Sequence, residues 1–233
     1  MQSVRLRFAC SLKILCLIPA RRNSKRLKGK NKKLLGGLPL FIWSIRSAKN
    51  IPEICDILIS TDDPTIAKIA RKEKVLVPWL RPKKLASDSA KSVDVALHGL
   101  KWYTKNKKKV DGLILFQPTS PFRKKDSIRK AIKIFKRRKF RAVVSVSKAK
   151  KESHARTYYQ ENNLKALKKN KKYKYKNLFH PNGSIYLTSP RALIKQKTFF
   201  QKETYALLTK SKKEALDIDT EQDFCRAQLY LKR

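Results

Sequence analysis

The stretch Ile14 to Asn31, with the sequence ILCLIPARRNSKRLKGKN, joins an apolar segment to a strongly cationic one. Its first five residues are all apolar, which is typical of a strand that is covered on both faces of a parallel sheet. Pro19 ends this strand, and six lysine and arginine residues follow between Arg21 and Lys30. In an open α/β sheet, ligands bind beyond the carboxyl ends of the strands. The stretch therefore predicts a first strand that delivers a cationic loop to an anionic ligand such as a polyphosphate.

This loop contains neither G-x-x-x-x-G-K-[ST] nor G-x-G-x-x-G. The backbone amide cradles that those motifs build for phosphates are therefore not indicated. Side-chain charge would hold the phosphate oxygens instead. On charge alone a second interpretation stays open, namely a solvated loop that binds nucleic acids non-specifically.

Length and composition predict one large α/β domain. The chain has 233 residues, of which 41% are hydrophobic, and this is enough for a substantial core. We expect a short basic extension over residues 1–12 and the domain over residues 13–233. No apolar run reaches the roughly 18 residues that span a bilayer, so no membrane segment is expected. The four cysteines show no C-x-x-C spacing, which favours reduced thiols in a cytoplasmic protein.

The formal net charge of +41 leads us to expect non-specific binding of polyanions. A dedicated nucleic-acid-binding protein concentrates its cations and places aromatic residues among them. Here lysine is spread along the chain, and 13 of the 17 acidic residues fall in residues 51–100 and 201–233. The pattern favours a general enrichment in lysine, and a basic nucleic-acid-binding protein on an α/β scaffold stays a minor alternative.

Strand-like and helix-like segments alternate along the first part of the chain. Strands are predicted at residues 14–18, 56–61, 75–77, 112–116 and 142–146. Helices are predicted at residues 40–48, 64–74, 92–106 and 125–139. This alternation predicts a mostly parallel sheet with right-handed crossovers.

The second part of the chain contains an irregular segment. From residue 148 to residue 180 no core-facing periodicity is visible, which indicates an inserted hairpin, arm or loop. Pro181-Asn182-Gly183 then predicts a turn. Strands over residues 184–188 and 205–209 follow, and a terminal helix is expected to begin near Thr220.

Asp217 and Asp219 stand two positions apart shortly before that helix. In extended backbone, residues i and i+2 project from the same face, so both carboxylates can point at one site. Mg²⁺ takes a few carboxylate oxygens and completes its coordination with water and substrate phosphates. The pair is therefore a candidate magnesium site. From the residues alone an alternative stays open, in which these acids only begin the helix and interact with its dipole.

Several stretches resemble the CMP-sialic acid synthetases, which are acylneuraminate or nonulosonic acid cytidylyltransferases. The loop I-P-A-R-x-x-S-K-R-x-x-x-K-N resembles the signature of that family, and D-I-D-T-E-x-D-F resembles its metal-binding segment. Stretches at residues 60–63, 80–90, 117–123 and 182–186 also match in order, so the resemblance extends from about residue 13 to residue 231. It implies a Rossmann-like α/β nucleotidyltransferase fold of the glycosyltransferase-A-like kind. Residues 148–180 would form its small dimerisation arm.

The same resemblance implies an enzyme that joins CTP and a nonulosonic acid into a CMP-sugar acid and releases pyrophosphate. It implies a homodimer, with Mg²⁺ as the cofactor on Asp217 and Asp219. The residues implied to bind the nucleotide are Ala20, Arg21, Asn31, Arg81 and Ser92. The residues implied in catalysis are Arg21, Lys25, Lys30, Asp217 and Asp219. The residues implied to contact the sugar acid are Gln117, Lys172 and His180.

Three of these residues also have a structural interpretation. Asn31 would cap a turn, Arg81 would pair with Asp88, and Gln117 would stabilise its own proline-rich loop. Two other positions depart from the family pattern, because Lys172 and His180 stand where arginines are usual. A lysine does not reproduce the two parallel hydrogen bonds of an arginine. N-acetylneuraminic, legionaminic and pseudaminic acids therefore stay open as substrates, and transfer to 3-deoxy-manno-octulosonic acid is the nearest enzymatic alternative.

Overall fold

The computed structural model describes residues 12–148, 158–161, 163–166, 178–201 and 204–232. The predicted extension over residues 1–12 lies outside the described residues except for its last residue, and so does most of the predicted arm, including Lys172. The strands are β1 (Ile14–Pro19), β2 (Leu34–Leu35), β3 (Leu38–Pro39), β4 (Ile54–Ser60), β5 (Gly112–Leu115), β6 (Val143–Lys148), β7 (Tyr158–Glu161), β8 (Asn163–Ala166), β9 (Leu178–Thr188) and β10 (Tyr205–Leu208). The helices are α1 (Leu40–Ala48), α2 (Pro64–Lys72), α3 (Lys83–Ala86), α4 (Ser92–Asn106), α5 (Lys125–Arg137), α6 (Pro190–Gln196) and α7 (Glu221–Lys232).

The central sheet has the strand order β10-β6-β9-β5-β1-β4. β1 pairs in parallel with β4 and β5, and β10 pairs in parallel with β6. Among these six strands only β9 runs antiparallel to its neighbours, β5 and β6. The predicted mostly parallel α/β sheet is therefore confirmed. A hairpin of β7 and β8 adds to β9, within the segment predicted as an insertion.

Strand β1 is buried on both faces, as its apolar sequence predicts. Ile14, Cys16 and Ile18 pack into a core formed with α1, α2 and α5, whereas Leu15 and Leu17 pack into a second core formed with α4. All five side chains are fully buried. A strand that packs against helices on two sides cannot shift its register without exposing one of these sets to water. Its carboxyl end, where the cationic loop begins, is thereby fixed.

Helix α4 approaches β1 closely at one point. A Cβ atom at Gly99 would lie 2.3 Å from Cδ1 of Leu17, so a larger residue would force that side chain to move. The contact sets the position of the helix, and the first helical residue, Ser92, consequently lies beside the carboxyl end of the sheet.

A third apolar cluster holds the C-terminal part of the chain. Leu216, Ile218 and Phe224 pack with Leu27 of the cationic loop and with Leu35. Leu216 and Ile218 alternate with Asp217 and Asp219 along the segment. Burial of the two apolar side chains on one side therefore directs both carboxylates to the opposite side. This packing also attaches the loop to the segment that precedes α7.

Two predicted elements are wrong. Residues 75–77 form only an isolated bridge between Leu76 and Leu58, because the next donor to the parallel ladder would be Pro78, which has no N–H. Pro181-Asn182-Gly183 lies inside β9 instead of forming a turn. The Asn182 amide bonds to the hydroxyls of two serines in β6, and this long-range pairing overrides the local turn preference.

Candidate active site

A cavity of about 360 Å³ opens at the carboxyl ends of β1 and β5. Its wall combines the cationic loop, the residues before and at the start of α4, the loop after β5 and the segment before α7. The predicted site residues that line it are Arg21, Lys30, Asn31, Arg81, Ser92, Gln117, Asp217 and Asp219. Side chains that are up to 198 positions apart in sequence thus meet in one cleft, where an open α/β sheet binds its ligands.

The cationic loop is stabilised by its own side chains. Asn31 is buried and donates from Nδ2 to the carbonyl oxygen of Arg21 over 2.8 Å. Ala20 is also buried, and its N–H donates to the Ser60 carbonyl, which extends the pairing of β1 with β4 by one residue. The Asn31 hydrogen bond therefore stabilises the shape of the loop. Ala20 anchors the start of the loop to β4 and is not among the described residues that line the cavity.

Two loop cations share one carboxylate. Arg21 Nη1 and Lys25 Nζ lie 2.7 and 2.9 Å from the carboxylate oxygens of Asp88. The Lys25 and Arg21 contacts hold the pKa of Asp88 below its ordinary value. Lys25 is exposed and is not among the described residues that line the cavity. These ion pairs join the cationic loop to Asp88 at the wall of the cavity.

Arg81 does not pair with Asp88, so that structural interpretation is wrong. Its guanidinium instead donates to the hydroxyl and the carbonyl oxygen of Ser60 at the end of β4. Burial lowers the pKa of Arg81 to about 10. Arg81 therefore remains a cation at physiological pH, held rigidly in the cavity wall.

The two aspartates face the cavity together. Lys30 is buried and donates Nζ to the Ile218 carbonyl at 3.0 Å and to Asp219 Oδ1 at 2.8 Å. Arg26 Nη2 lies 2.7 Å from the other oxygen of Asp219. On the opposite side, the Ile218 N–H donates to the Thr119 carbonyl, which ties the aspartate segment to the loop after β5.

The start of α7 is capped by other groups. The Thr220 hydroxyl accepts from the Asp223 N–H, and the Asp223 carboxylate accepts from the N–H groups of Thr220 and Asp219. This reciprocal arrangement is a capping box. Asp217 and Asp219 are consequently not the groups that cap the helix, and their side chains stay directed at the cavity.

The donor set of this cavity fits a magnesium ion. Asp217 Oδ1 is buried and has no hydrogen-bond partner among the described residues. Burial raises the pKa of Asp217 above its ordinary value and outweighs the opposing effects of the Thr119 hydroxyl and of Lys30, while the nearby Asp219 charge raises it further. Within the described ranges no group of three or more His, Cys, Asp or Glu residues is placed to hold a metal. Mg²⁺ needs only one or two carboxylates when phosphates and water complete its octahedron.

Gln117 is positioned by a buried arginine that the sequence did not single out. Arg123 donates to the Gln117 carbonyl at 3.0 Å and to the Ser184 carbonyl at 2.5 Å, and it stacks over the Phe116 ring. The loop after β5 therefore has its backbone fixed from within. The Arg123 guanidinium, through its hydrogen bond to the Gln117 carbonyl, holds this main chain.

A second cavity of about 530 Å³ adjoins the first. Both cavities share Ala90, Ser92 and Gln117 as lining residues. The remaining wall is aromatic and cationic, formed mainly by Tyr186, Phe199, Phe200, Lys91 and Lys197. The rings of Phe199 and Phe200 lie 5.5 and 5.9 Å from the ring of Tyr186.

These aromatic residues are not among the site residues predicted from the sequence. Phe199 and Phe200 stand next to each other in a loop, and adjacent aromatic residues outside regular elements are a usable signal of a binding wall. His180, which the resemblance implies in sugar-acid binding, lies on β9 opposite Ser147 and is not among the described residues lining either cavity. Burial lowers the pKa of His180.

No helix within the described ranges has both the length and the hydrophobicity to cross a bilayer. The fold itself has clear relatives among solved structures. One of them, CMP:2-keto-3-deoxy-manno-octonic acid synthetase complexed with CTP, aligns with a TM-score of 0.72 and 14% identity over 94% of this chain and 98% of that one. The fold is that of an α/β nucleotidyltransferase.

The profile of the cytidylyltransferase family matches residues 15–232, and the chain belongs to that family. A CMP-N,N'-diacetyllegionaminic acid synthase of Legionella pneumophila is 37% identical over 91% of this chain and 94% of its own length. An N-acylneuraminate cytidylyltransferase of Escherichia coli is 32% identical over 91% of this chain and 50% of its own length. A pseudaminic acid cytidylyltransferase of Campylobacter jejuni is 26% identical over 95% of this chain and 97% of its own length. The resemblance stated from the sequence is thereby confirmed at the level of the family.

Proposed function

We propose that this protein activates a nonulosonic, sialic-type acid by joining it to CMP from CTP, with release of pyrophosphate. The observation that carries the proposal is the pair of adjoining cavities, which meet at Ser92 and Gln117. One cavity has the cations and carboxylates for a nucleoside triphosphate, and the other suits an anionic ligand with apolar substituents. The family assignment favours this enzyme over a nucleic-acid-binding protein on the same scaffold.

The first cavity would bind CTP. Arg21, Lys30 and Arg81 supply positive charge along one wall, and charge-assisted hydrogen bonds to phosphate oxygens are the strong kind. Lys25 would join them from the loop once the phosphates displace Asp88. Ser92 lies at the N-terminus of α4, where backbone N–H groups favour a negatively charged or acceptor-rich partner.

The second cavity would bind the sugar acid. Three aromatic rings give it an apolar wall for acyl groups and ring carbons, and Lys91 and Lys197 supply cations for a carboxylate. Gln117 stands where the two cavities meet, so its side chain can orient the sugar acid toward the nucleotide. Relatives named for legionaminic, acylneuraminic and pseudaminic acids make all three the first substrates to test.

The reaction needs alignment more than covalent chemistry. The anomeric hydroxyl loses its proton to solvent and its oxygen forms a bond to the α-phosphorus. The bond from that phosphorus to the β-phosphate oxygen breaks, and pyrophosphate leaves. Arg21, Lys25 and Lys30 would neutralise the charge that collects on the phosphates, while Gln117 would hold the attacking group in line. A site that holds both reactants a few ångströms apart supplies much of the rate enhancement through orientation alone.

We propose Mg²⁺ as the cofactor, with Asp217 and Asp219 as its protein ligands. When bound, the ion would polarise phosphate oxygens and neutralise part of their charge. The buried, unpartnered oxygen of Asp217 supports this assignment, since a charged group left without a partner is costly. The homodimer, the cytoplasmic location, and the roles of Lys172 and His180 stay predictions.

The proposal is tested by measuring pyrophosphate release with CTP, Mg²⁺ and one sugar acid at a time. The panel is N-acetylneuraminic, legionaminic, pseudaminic and 3-deoxy-manno-octulosonic acids, with ATP, GTP and UTP as nucleotide controls. We expect release only when CTP and one nonulosonic acid are both present. A folded protein that releases pyrophosphate with none of the four acids, or only with 3-deoxy-manno-octulosonic acid, would overturn the proposal.

A further inference from the structure

Arg26 has a place in the first cavity that the proposed function leaves unexplained. It lies 2.7 Å from Asp219 Oδ2, while Lys30 lies 2.8 Å from Asp219 Oδ1. Both oxygens of Asp219 therefore already have a cationic partner. Asp217 differs, because its buried Oδ1 has no hydrogen-bond partner among the described residues. One of the two aspartates is thus open to a metal, and the other is already neutralised by the protein.

The two cations on Asp219 differ in how firmly they are held. The Lys30 side chain is 11% exposed and has a second acceptor in the Ile218 carbonyl. The Arg26 side chain is 67% exposed, and among the described residues its one ion pair is with Asp219. Exposed ion pairs contribute little to stability, because solvent screens them and a long side chain must be ordered. Arg26 is therefore the partner that a stronger ligand can displace, whereas Lys30 is a fixed anchor.

We propose that Arg26 is a positioning residue that exchanges partners when the substrate binds. In the nucleotide-free protein it neutralises Asp219; when a metal-bound triphosphate enters, it releases Asp219 and pairs with phosphate oxygens. The inference rests on the proposed function, since it requires a divalent cation and a triphosphate in this cavity. A guanidinium suits both partners, because its planar N–H groups match carboxylate and phosphate oxygens equally well.

This exchange predicts two effects of opposite sign when Arg26 is lost. Without nucleotide, Arg26 competes with a divalent cation for Asp219, so Arg26→Gln should bind that cation more tightly. With nucleotide and no metal, Arg26 attracts the triphosphate, so the same variant should bind CTP more weakly. A residue with a purely structural role would weaken both interactions or leave both unchanged.

The matched control is Arg22→Gln. Arg22 lies in the same loop and is exposed, its backbone N–H donates to Asp62, and it is not among the described residues lining either cavity. Its substitution removes the same charge from the same loop and therefore reports the general electrostatic effect. Only the difference between the two variants counts for the proposal.

The experiment titrates Mn²⁺ into the nucleotide-free full chain, with free Mn²⁺ read by electron paramagnetic resonance. Equilibrium dialysis then measures CTP binding in the presence of a chelator. Relative to Arg22→Gln, we expect Arg26→Gln to bind Mn²⁺ about two- to fivefold more tightly, which is the range an exposed ion pair can contribute. We expect it to bind metal-free CTP about three- to tenfold more weakly.

Mn²⁺ binding that is equal in the two variants, or weaker in Arg26→Gln, would overturn the exchange. So would unchanged CTP binding. Failure of the proposed function looks different: Arg26→Gln would bind Mn²⁺ more tightly than Arg22→Gln, and yet the wild-type protein would release no pyrophosphate with any sugar acid. Conversely, the wild-type protein could turn over CTP while the two variants bind Mn²⁺ and CTP equally well. That result would reject the role of Arg26 and leave the proposed function standing.

Discussion

Gln117 rests directly against Gly183. The Gln117 Oε1 atom lies 2.9 Å from the position that a Cβ atom would occupy at Gly183, and Ser120 Oγ lies 3.3 Å from it. Gly183 also has a φ of +76°, a backbone conformation that residues other than glycine rarely adopt. The glycine in β9 therefore gives the Gln117 side chain its space at the junction of the two cavities.

Gly183→Ala should raise the KM for the sugar acid about tenfold and leave the KM for CTP nearly unchanged. The added methyl displaces the Gln117 amide, and one well-formed hydrogen bond contributes roughly the 1.4 kcal/mol that corresponds to this factor. Steady-state kinetics with each substrate varied in turn measures the effect. Equal changes in both KM values would contradict the assignment of Gln117 to the sugar acid.

Gly37→Ala is the control for backbone strain. Gly37 has the same φ of +76°, but nothing lies within 4 Å of its potential Cβ. Both variants should lose about 1 kcal/mol of unfolding free energy from the left-handed conformation. Only Gly183→Ala should change the use of the sugar acid.

Asp63 joins the start of α2 to Lys32, which directly follows the cationic loop. Its carboxylate accepts from the Thr65 and Ile66 N–H groups and lies 2.8 Å from Lys32 Nζ. Asp63→Ala should lower the free energy of unfolding by about 1–2 kcal/mol, the usual effect of losing a helix cap. Denaturant titration measures this loss. Asp94→Ala, in the exposed first turn of α4, is the control and should cost much less.

The contribution of Asp63 should depend on pH in a defined direction. Burial alone would raise the pKa of Asp63, but the Lys32 contact and the two N–H groups outweigh it and lower the pKa. A lowered pKa means that the stabilisation is present above the ordinary carboxyl pKa and is lost as the pH falls through the lowered value. The difference between wild type and Asp63→Ala should therefore shrink in acid. A difference that grows in acid would show that the carboxylate is not the stabilising form.

The sequence predicted what local periodicity determines. α1 and α4 begin and end where their apolar spacing predicts, at Leu40–Ala48 and Ser92–Asn106. The unbroken apolar run of β1 is typical of a strand that is covered on both faces of a parallel sheet. The i and i+2 spacing of Asp217 and Asp219 likewise predicts that both carboxylates project to the same side.

What the sequence could not predict depends on partners far along the chain. Asn182 and Gly183 have the local preference of a turn, but Ser145 and Ser147 bond the Asn182 amide and keep the strand continuous. The ion pairs of Asp88 with Arg21 and Lys25 join residues 67 and 63 positions apart, so no local pattern reveals them. The aromatic wall has the same origin, since it forms only when α6 and β9 pack beside α4.

Phe200 provides a test of that aromatic wall. Phe200→Leu keeps most of the apolar volume but removes the ring, and it should raise the KM for the sugar acid by about two- to tenfold. The KM for CTP should stay within about a factor of two, because Phe200 is not among the described residues that line the first cavity. Phe140→Leu is the control, because Phe140 is partly exposed at the end of α5 and is not among the described residues lining either cavity.

Asp217→Asn should separate stability from activity. The raised pKa of Asp217 means that its stability contribution is complete below the ordinary carboxyl pKa and is lost as the pH rises through the raised value. At neutral pH without metal, the neutral asparagine should therefore raise the melting temperature, and the gain should vanish in acid. Turnover should fall about a hundredfold or more, because the variant loses a charged ligand for the proposed ion.

Thermal melts across pH and pyrophosphate release together measure these two effects. Glu221→Gln is the control, because it removes one negative charge next to the same segment from an exposed residue that pairs with Lys33. It should leave turnover near the wild-type level. Added Mg²⁺ and CTP should raise the melting temperature of wild type and of Glu221→Gln more than that of Asp217→Asn. An equal rise in all three proteins would remove Asp217 from the proposed metal site, and near-normal turnover of Asp217→Asn would do the same.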